Sequence, residues 1–476
     1  MTIAMMGGLM NESFAENTKI SLKSGAVGLI GAITLGIVML SPAMTIYGNF
    51  GPTFLAAGKA SPLVFFWALI ATLPTAISYA LLSRIYPSSG SAATWVAKTG
   101  MKRVARWAGW MVFFYYVTNF IIQPITLGVF LNDTLRDLGL HFNLVTYVLG
   151  VLLCGTWPAW IAYRGIRPSI HGALAFLLFE AVIVIALCLT VFIAAPLQGA
   201  HFSLEGFHTS ASPSGMHGLF QALIFGMLSF CGFDVISTLG EESKMPKKLI
   251  PQATFIALSL FGFLMIAGIW VLTYAASPEQ LKTIADSGGM PVGEIARMFW
   301  GRWAILVPFT AISASLGIAI ATAIGASRVL HSMAERGDAP AGFSKLNPRY
   351  QVPWNAMHLI FAIGMFAAIF TALFLGPYQT MVWWGTTSTF FAMLTYLTVN
   401  SANLILFRHE ILKSPIKFIL HGLIPMIGLS LDGYILVNSF FIELWNQGWA
   451  TGQSVIVFDL LCAILGITLA LRTKTT

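Results

Sequence analysis

Residues 24–58 form a run of 35 residues without a formal charge. As one straight helix it would extend roughly 50 Å at about 1.5 Å per residue, while a bilayer core is about 30 Å thick. The middle of the run resolves the mismatch. Leu40-Ser41-Pro42-Ala43 interrupts it, with Gly25, Gly28, Gly31 and Gly36 before the interruption and Gly48 and Gly51 after it. Pro42 offers no N–H, and its ring clashes with the carbonyl four residues back. The pattern predicts two half-helices, about Val27–Leu40 and Met44–Ala56, meeting at an unwound joint near the midplane. The competing reading is a proline kink in an ordinary span. Bare backbone groups at membrane depth are tolerated only where protein or a water-filled cavity satisfies them. The joint is therefore a candidate binding place for a small ion carrying both charges.

The rest of the composition agrees with a membrane setting. The chain is 57% hydrophobic and 9% charged, against about 25% charged residues in soluble domains, which predicts an all-α polytopic membrane protein. The segment Met1–Lys19 is polar and lacks a cleavable signal pattern. Cys154, Cys188, Cys231 and Cys462 lie in apolar runs with no metal-ligand spacing and no evident disulfide pairing. No two histidines stand at the spacing of a histidine-box membrane enzyme. The expectation is thus no enzyme, no cofactor and no metal. The net charge of +8 is unevenly spread: with an even number of spans and a cytoplasmic start, 21 Lys and Arg fall inside and 5 outside. That is the positive-inside bias. It implies both termini in the cytoplasm, a multi-pass protein of the cell membrane, lipid as its surroundings and no nucleic-acid partner.

Twelve transmembrane helices fit the uncharged runs. After the broken first come about Pro62–Arg84, Ala108–Leu131, Asn143–Tyr163, Ala173–Ala195, Leu219–Leu239, Pro251–Ala275 and Ala304–Leu330. Tyr350–Phe407 is 58 charge-free residues, two spans broken at Gly376-Pro377, and the last two are about Phe418–Phe441 and Val455–Leu471. Ser277-Pro278-Glu279-Gln280 predicts the start of an amphipathic helix on the outer surface, about 278–298. The loop Tyr86–Trp107, with Lys98, Lys102, Arg103 and Arg106, predicts a short helix lying in the inner interface. A second interruption, Ser229-Phe230-Cys231-Gly232, sits in the sixth span between Gly226 and Asp234. It comes five spans after the first, and corresponding breaks in two halves point to an inverted-repeat transporter. The competing reading is a helix that tolerates two glycines for packing.

Three segments resemble the amino acid/polyamine/organocation transporter superfamily. Tyr86-Pro87-Ser88-Ser89-Gly90-Ser91-Ala92-Ala93-Thr94-Trp95 is similar to its F-P-x-A-G-x-x-Y-x-Y segment. Phe230-Cys231-Gly232-Phe233-Asp234, Glu241-Glu242, Pro246 and Ile250-Pro251 are similar to its F-x-G-F-D…E-E…P…I-P run. Ser327-Arg328-Val329-Leu330, Met333-Ala334 and Asp338-Ala339-Pro340 resemble its S-R-V-L-x-x-M-A-R-D-G-x-x-P. The resemblance implies a LeuT-type fold, a five-plus-five inverted repeat with broken first and sixth helices. It divides the chain into a cytoplasmic segment 1–23, a first repeat 24–195, a second repeat 196–410, and accessory spans eleven and twelve with a tail over 411–476. Many relatives have a G-S-G-like first break where this chain has Ser41-Pro42-Ala43, a variant closer to the bacterial permease and putrescine-importer-like branches. Relatives often place an aromatic gate where this chain has Leu228, which leaves Phe225 or Phe230 for that role.

Both breaks together make an amino-acid-shaped site without a charged side chain. N–H groups near Met44, Thr45 and Ile46, beyond Ser41, Pro42 and Ala43, would face a carboxylate. Carbonyls near Leu40 and over Leu228, Ser229 and Phe230, beside Cys231 and Gly232, would receive an ammonium. Asn119 matches a position that contacts substrate in the family; its alternative is an interhelical hydrogen bond. Trp384, in Trp383-Trp384-Gly385-Thr386, could wall the site or anchor at the interface. Glu180 stands alone in an apolar span, which is costly and usually functional. Counted from Arg167-Pro168-Ser169, it falls where many proton-coupled relatives carry a lysine, against spans one and eight, so it is the first candidate to carry the coupling proton. The alternative is a structural Glu satisfied by a neighbouring hydroxyl. Asp234 is a second proton-relay candidate, or else a cap on broken-helix N–H groups. Ser313 and Ser315 are not adjacent, so a sodium site finds little support. The leading reading is a proton-coupled amino acid transporter working by alternating access, as monomer or homodimer. A polyamine or organic amine importer, an amino acid exchanger and a non-transporting nutrient sensor are the alternatives.

Overall fold

The computed structural model describes residues 21–139, 144–275, 277, 279 and 291–472. The predicted outer helix over 278–298 is therefore described only as Pro291–Trp300, and the Met1–Lys19 segment lies outside the described residues. Among the described residues every regular element is helical, with one isolated backbone bridge between Val27 and Ser243. Eleven segments among the described residues are long and apolar enough to cross a membrane. The first, Leu29–Ile85, is 57 residues and holds two spans that turn at Gly58–Ala60, where Gly58 takes φ 55°. Twelve spans result.

The first span is Leu29–Leu40 followed by Pro42–Met44, a π-helical turn Thr45–Asn49, and Phe50–Ala57. Between the halves Ser41 takes φ 44°, ψ 106°. A non-glycine residue there is strained and needs its surroundings to hold it. Pro42 then occupies the first helical position, where its missing N–H costs nothing. The sixth span breaks likewise: Gly215–Phe230 ends at an extended Cys231, Gly232 takes φ 129°, and Phe233–Leu239 continues as a 3₁₀ helix. The two breaks touch. A Cβ on Gly232 would fall 2.5 Å from Met39 Cγ and 3.1 Å from the Met39 carbonyl oxygen.

The remaining spans are Ser61–Ile85, Lys102–Asp137, Leu144–Ala162, Ile166–Ala194, Pro246–Thr273, Leu306–Glu335, Trp354–Leu375, Pro377–Phe407, Pro415–Gln447 and Ser454–Arg472. The third is the best enclosed and packs on the eighth and tenth. The fifth lies against the first and eighth, the eleventh against the second and tenth, and the twelfth against the third.

The basic-rich side, here called inner, is shut. Arg328 and Glu242, both buried, form a two-pronged ion pair at 2.5 and 3.1 Å. Val27 N donates to the Glu242 carbonyl, and Lys244 N to the Val27 carbonyl, pinning the start of the first span to the chain leaving the sixth. Ser89 donates to Glu241 through both its N–H and its hydroxyl. The loop after the second span does contain a short helix, Ser91–Lys98, and most of its residues are packed into the protein. Small Ser91, Ala92 and Ala93 let it sink into the protein, and Trp95 is fully buried, donating to the Tyr86 carbonyl at 2.8 Å.

Gly232→Ala should lower thermal stability, because its φ alone costs about 1–3 kcal/mol for a side-chain-bearing residue and Met39 stands in the way of the new Cβ. Gly293, with nothing within 4 Å of its Cβ position, is the control: Gly293→Ala should leave the unfolding midpoint of detergent-solubilised protein unchanged or higher.

Candidate functional site

The joint of the first span is held by a side chain from the fifth. Glu180, 1% exposed, accepts from Ser41 Oγ at 2.8 Å and from Ala43 N at 3.3 Å through Oε2. Ser41 Oγ accepts from Met44 N at 3.2 Å, Thr45 N donates to the Ser41 carbonyl at 3.1 Å, and Thr45 Oγ1 donates to the Leu40 carbonyl at 3.3 Å. Glu180 and Ser41 together thus cap the outer half-helix. The N–H groups of Ala43, Met44 and Thr45 are bonded within the joint in this conformation, so those expected to await a substrate carboxylate at Met44 and Thr45 are not free. Among the described residues no Lys, Arg or His pairs with Glu180.

Beside the joint lies a cavity whose empty space, counting the part open to solvent, is about 540 Å³. Leu40, Met44, Asn119 and Leu228 line it, as do Asn49 and Gln123, and no lining residue is charged. Gln123 Nε2 donates to the Asn119 carbonyl at 2.8 Å, leaving the buried Gln123 Oε1 without a partner. Asn49 Nδ2 donates to Ser229 Oγ at 2.8 Å, tying the two broken spans together. A second, wider cavity shares Pro52, Phe225 and Val382 with the first and reaches Ser214 and Gln447. The way out of the site therefore leads toward the outer side, opposite the Arg328–Glu242 pair, and Phe225 stands on it.

Other expected residues are placed differently. Trp384 does not wall the cavity: its Nε1 donates to Thr371 Oγ1 at 3.1 Å, and its ring packs on Phe458 and Trp383. Met381, Val382 and Gly385 form that wall instead. Phe230 packs on Phe261, and the Ile46 side chain meets the seventh span at Gly268. Cys231 is buried. Ser315 donates to the Ala311 carbonyl, and no group of metal-binding side chains occurs among the described residues. Asp234 is outside the cavity lining and is fully engaged. It accepts from Tyr115 OH at 3.1 Å, Tyr396 OH at 3.4 Å, Gly232 N at 3.2 Å, and Tyr116 OH.

Four side chains escape the sequence reading. Asn49 and Gln123 are polar residues within spans, Gln123 one turn from Asn119. Asp432 and Asp459 are acids set within the apolar runs of spans eleven and twelve, both fully buried, and each carries much the same signal that marks Glu180. Among the described residues neither carboxylate oxygen of Asp459 has a partner at hydrogen-bond geometry, although the Thr387 hydroxyl faces it.

Comparison with known proteins places this geometry. The family model described as Amino acid permease matches residues 26–469. The chain is similar to the branched-chain amino acid permease BcaP of Bacillus subtilis, 24% identical over 437 residues covering 87% of this chain and 86% of that one. It is equally similar to the low-affinity putrescine importer PlaP of Escherichia coli, 24% identical over 444 residues, 90% of this chain and 92% of that one. It shares its fold with the manganese transporter of Eremococcus coleocola, crystallised with an aromatic bis-isothiourea compound: TM-score 0.58, 12% identity, covering 96% of this chain and 99% of that one. With the family match spanning both broken helices, the cavity between them and nearly all of the chain, this protein belongs to the amino acid permease family of multi-pass membrane transporters, within the amino acid/polyamine/organocation superfamily.

Proposed function

We propose that the protein imports an apolar amino acid together with a proton across the cell membrane, with both termini in the cytoplasm. Residues 24–195 and 196–410 act as inverted halves around the site, with 411–476 accessory. The observation that carries this reading is the Glu180 carboxylate seated on Ser41 Oγ and Ala43 N. Those donors begin the outer half-helix, where a substrate carboxylate is also favoured. Two anions at one helix start repel, so the substrate's carboxylate and an ionised Glu180 compete for the same groups. A proton on Glu180 removes the competitor's charge and turns Ser41 and the first N–H groups over to the substrate. Proton and amino acid then each strengthen the binding of the other, as linkage requires, and that is the thermodynamic condition for symport. The ammonium is left to carbonyls and to the unpaired Gln123 Oε1, and the uncharged, mostly apolar lining suits an apolar side chain. Asp234, with three phenols and an N–H on its two oxygens, braces the second break.

A polyamine or other amine is the second reading, favoured by one observation: the donors at the joint are already occupied by Glu180. A cation would then bind best to the ionised form, the reverse linkage. Loading from outside is supported by the wider cavity that adjoins the first one on the side away from the Arg328–Glu242 pair.

Two outcomes are expected. At low pH an apolar L-amino acid should bind more tightly than its decarboxylated amine by about ten- to a hundredfold, the worth of a lost charge-assisted hydrogen bond of about 1.5–3 kcal/mol. Equal or tighter binding of the amine would favour the second reading. Glu180→Gln should keep binding and counterflow exchange in proteoliposomes but lose accumulation driven by an imposed pH gradient. Should the variant still concentrate substrate, Glu180 is structural and the coupling proton travels elsewhere.

A further inference from the structure

The eleventh span crosses over Pro415–Gln447, and its midpoint carries Asp432, fully buried. Thr75 Oγ1 of the second span donates to Asp432 Oδ2 at 2.9 Å, and Asn400 Nδ2 of the tenth donates to the same oxygen at 3.3 Å and to Thr75 Oγ1 at 2.7 Å. The three spans are pressed together here: a Cβ on Gly428, one turn from Asp432, would lie 2.6 Å from Asn400 Nδ2. Two acceptors are left over, Asp432 Oδ1 and Asn400 Oδ1, both buried without a partner among the described residues. Turning the Asn400 amide over would set its carbonyl oxygen against the carboxylate, which again lacks a hydrogen. The titratable groups facing Asp432 are Tyr79 of the second span and Cys231 of the sixth, and neither is a cation. An ionised carboxylate at this depth, with no positive partner and one oxygen bare, is among the costliest arrangements a membrane protein can hold.

A polar seam leads from this point to the inner surface. One turn toward the inner side, Asn403 Nδ2 donates to Ser78 Oγ at 3.2 Å, and Asn403 Oδ1 meets His421 Nδ1 at 2.8 Å. His421 stacks on Phe407 with ring centroids 4.0 Å apart, and Glu410 and Lys417 are the charged groups that face it. From His421 to Asp432 is eleven residues of the same span, about 16 Å of rise. Hydrogen-bonding side chains of spans two, ten and eleven stand at both ends of this stretch, Thr75 and Ser78 being three residues apart on the second span and Asn400 and Asn403 three apart on the tenth.

We infer that Asp432 is a second proton-binding site, remote from the transport joint and loaded from the inner face through His421. The bound proton sits on a carboxylate oxygen and makes Asp432 a hydrogen-bond donor to the amide of Asn400, completing the seam. Release leaves an unpaired anion between three packed spans. The tenth of these carries Tyr396, one turn from Asn400 and bonded to Asp234, so the charge of the site bears on the sixth-span break.

The test is infrared difference spectroscopy on the purified full-length protein in sodium-free buffer, following the carbonyl stretch of protonated carboxylic acids. The wild type should show at neutral pH a band that Asp432→Asn lacks and that bleaches reversibly on a jump to alkaline pH. In His421→Gln the same band should persist but bleach about tenfold or more slowly. If Asp432→Asn fails to fold, Asp432→Glu should keep the band at a shifted frequency. Identical wild-type and Asp432→Asn spectra at every pH would show Asp432 ionised throughout and overturn the site. A band that disappears on adding sodium would assign the position to a metal cation and overturn it equally. Unchanged bleaching in His421→Gln would overturn the route from the inner face.

Discussion

A strained serine and a buried glutamate depend on one another at the centre of this protein. Ser41 sits at φ 44°, a conformation that costs of order a kilocalorie or more for a residue with a side chain. What holds it is Glu180, which takes the serine hydroxyl and the N–H of Ala43 on one oxygen. Without that acceptor the outer half-helix would begin with unsatisfied donors deep in the bilayer, and the break would close or fill with water. The same contact fixes the fifth span to the first. The second break packs on the first, where Gly232 can approach Met39 only because it has no Cβ.

The remaining architecture separates a closed side from an open one. Inward, a buried arginine–glutamate pair and a short backbone ladder tie the first, sixth and eighth spans. Breaking such a pair leaves an uncompensated buried charge worth about 3–5 kcal/mol, so inward opening needs these groups to be hydrated or re-paired together. Outward, cavities joined at Phe225 lead away from the site, with polar side chains but no charge lining its inner part. The cavity lining carries no charge, and the relatives of this chain include both a branched-chain amino acid permease and a putrescine importer.

Much of this is legible in the sequence, for reasons that can be named. The first break shows because a 35-residue neutral run is too long for one span and carries a proline at its middle. Glu180 shows because a lone charge in an apolar span is expensive. The details of facing are not legible. Trp384 and Gly385 are neighbours in the chain, yet only the glycine lines the cavity, and composition cannot choose between them. That the N–H groups beyond Pro42 would already be engaged required the fold, because their acceptor lies 137 residues away in the chain. Asp432 and Asp459 carry much the same signal as Glu180, but the resemblance treats their spans as accessory and draws attention away from them.

The account stands on the proposed competition between Glu180 and a substrate carboxylate for the same donors. Calorimetry of amino acid binding in buffers of different ionisation enthalpy reads the protons taken up per substrate bound. At a pH where Glu180 is ionised in the free protein, the account predicts an uptake approaching one proton in the wild type and none in Glu180→Gln. Binding without proton uptake, or equal uptake by both proteins, would contradict it.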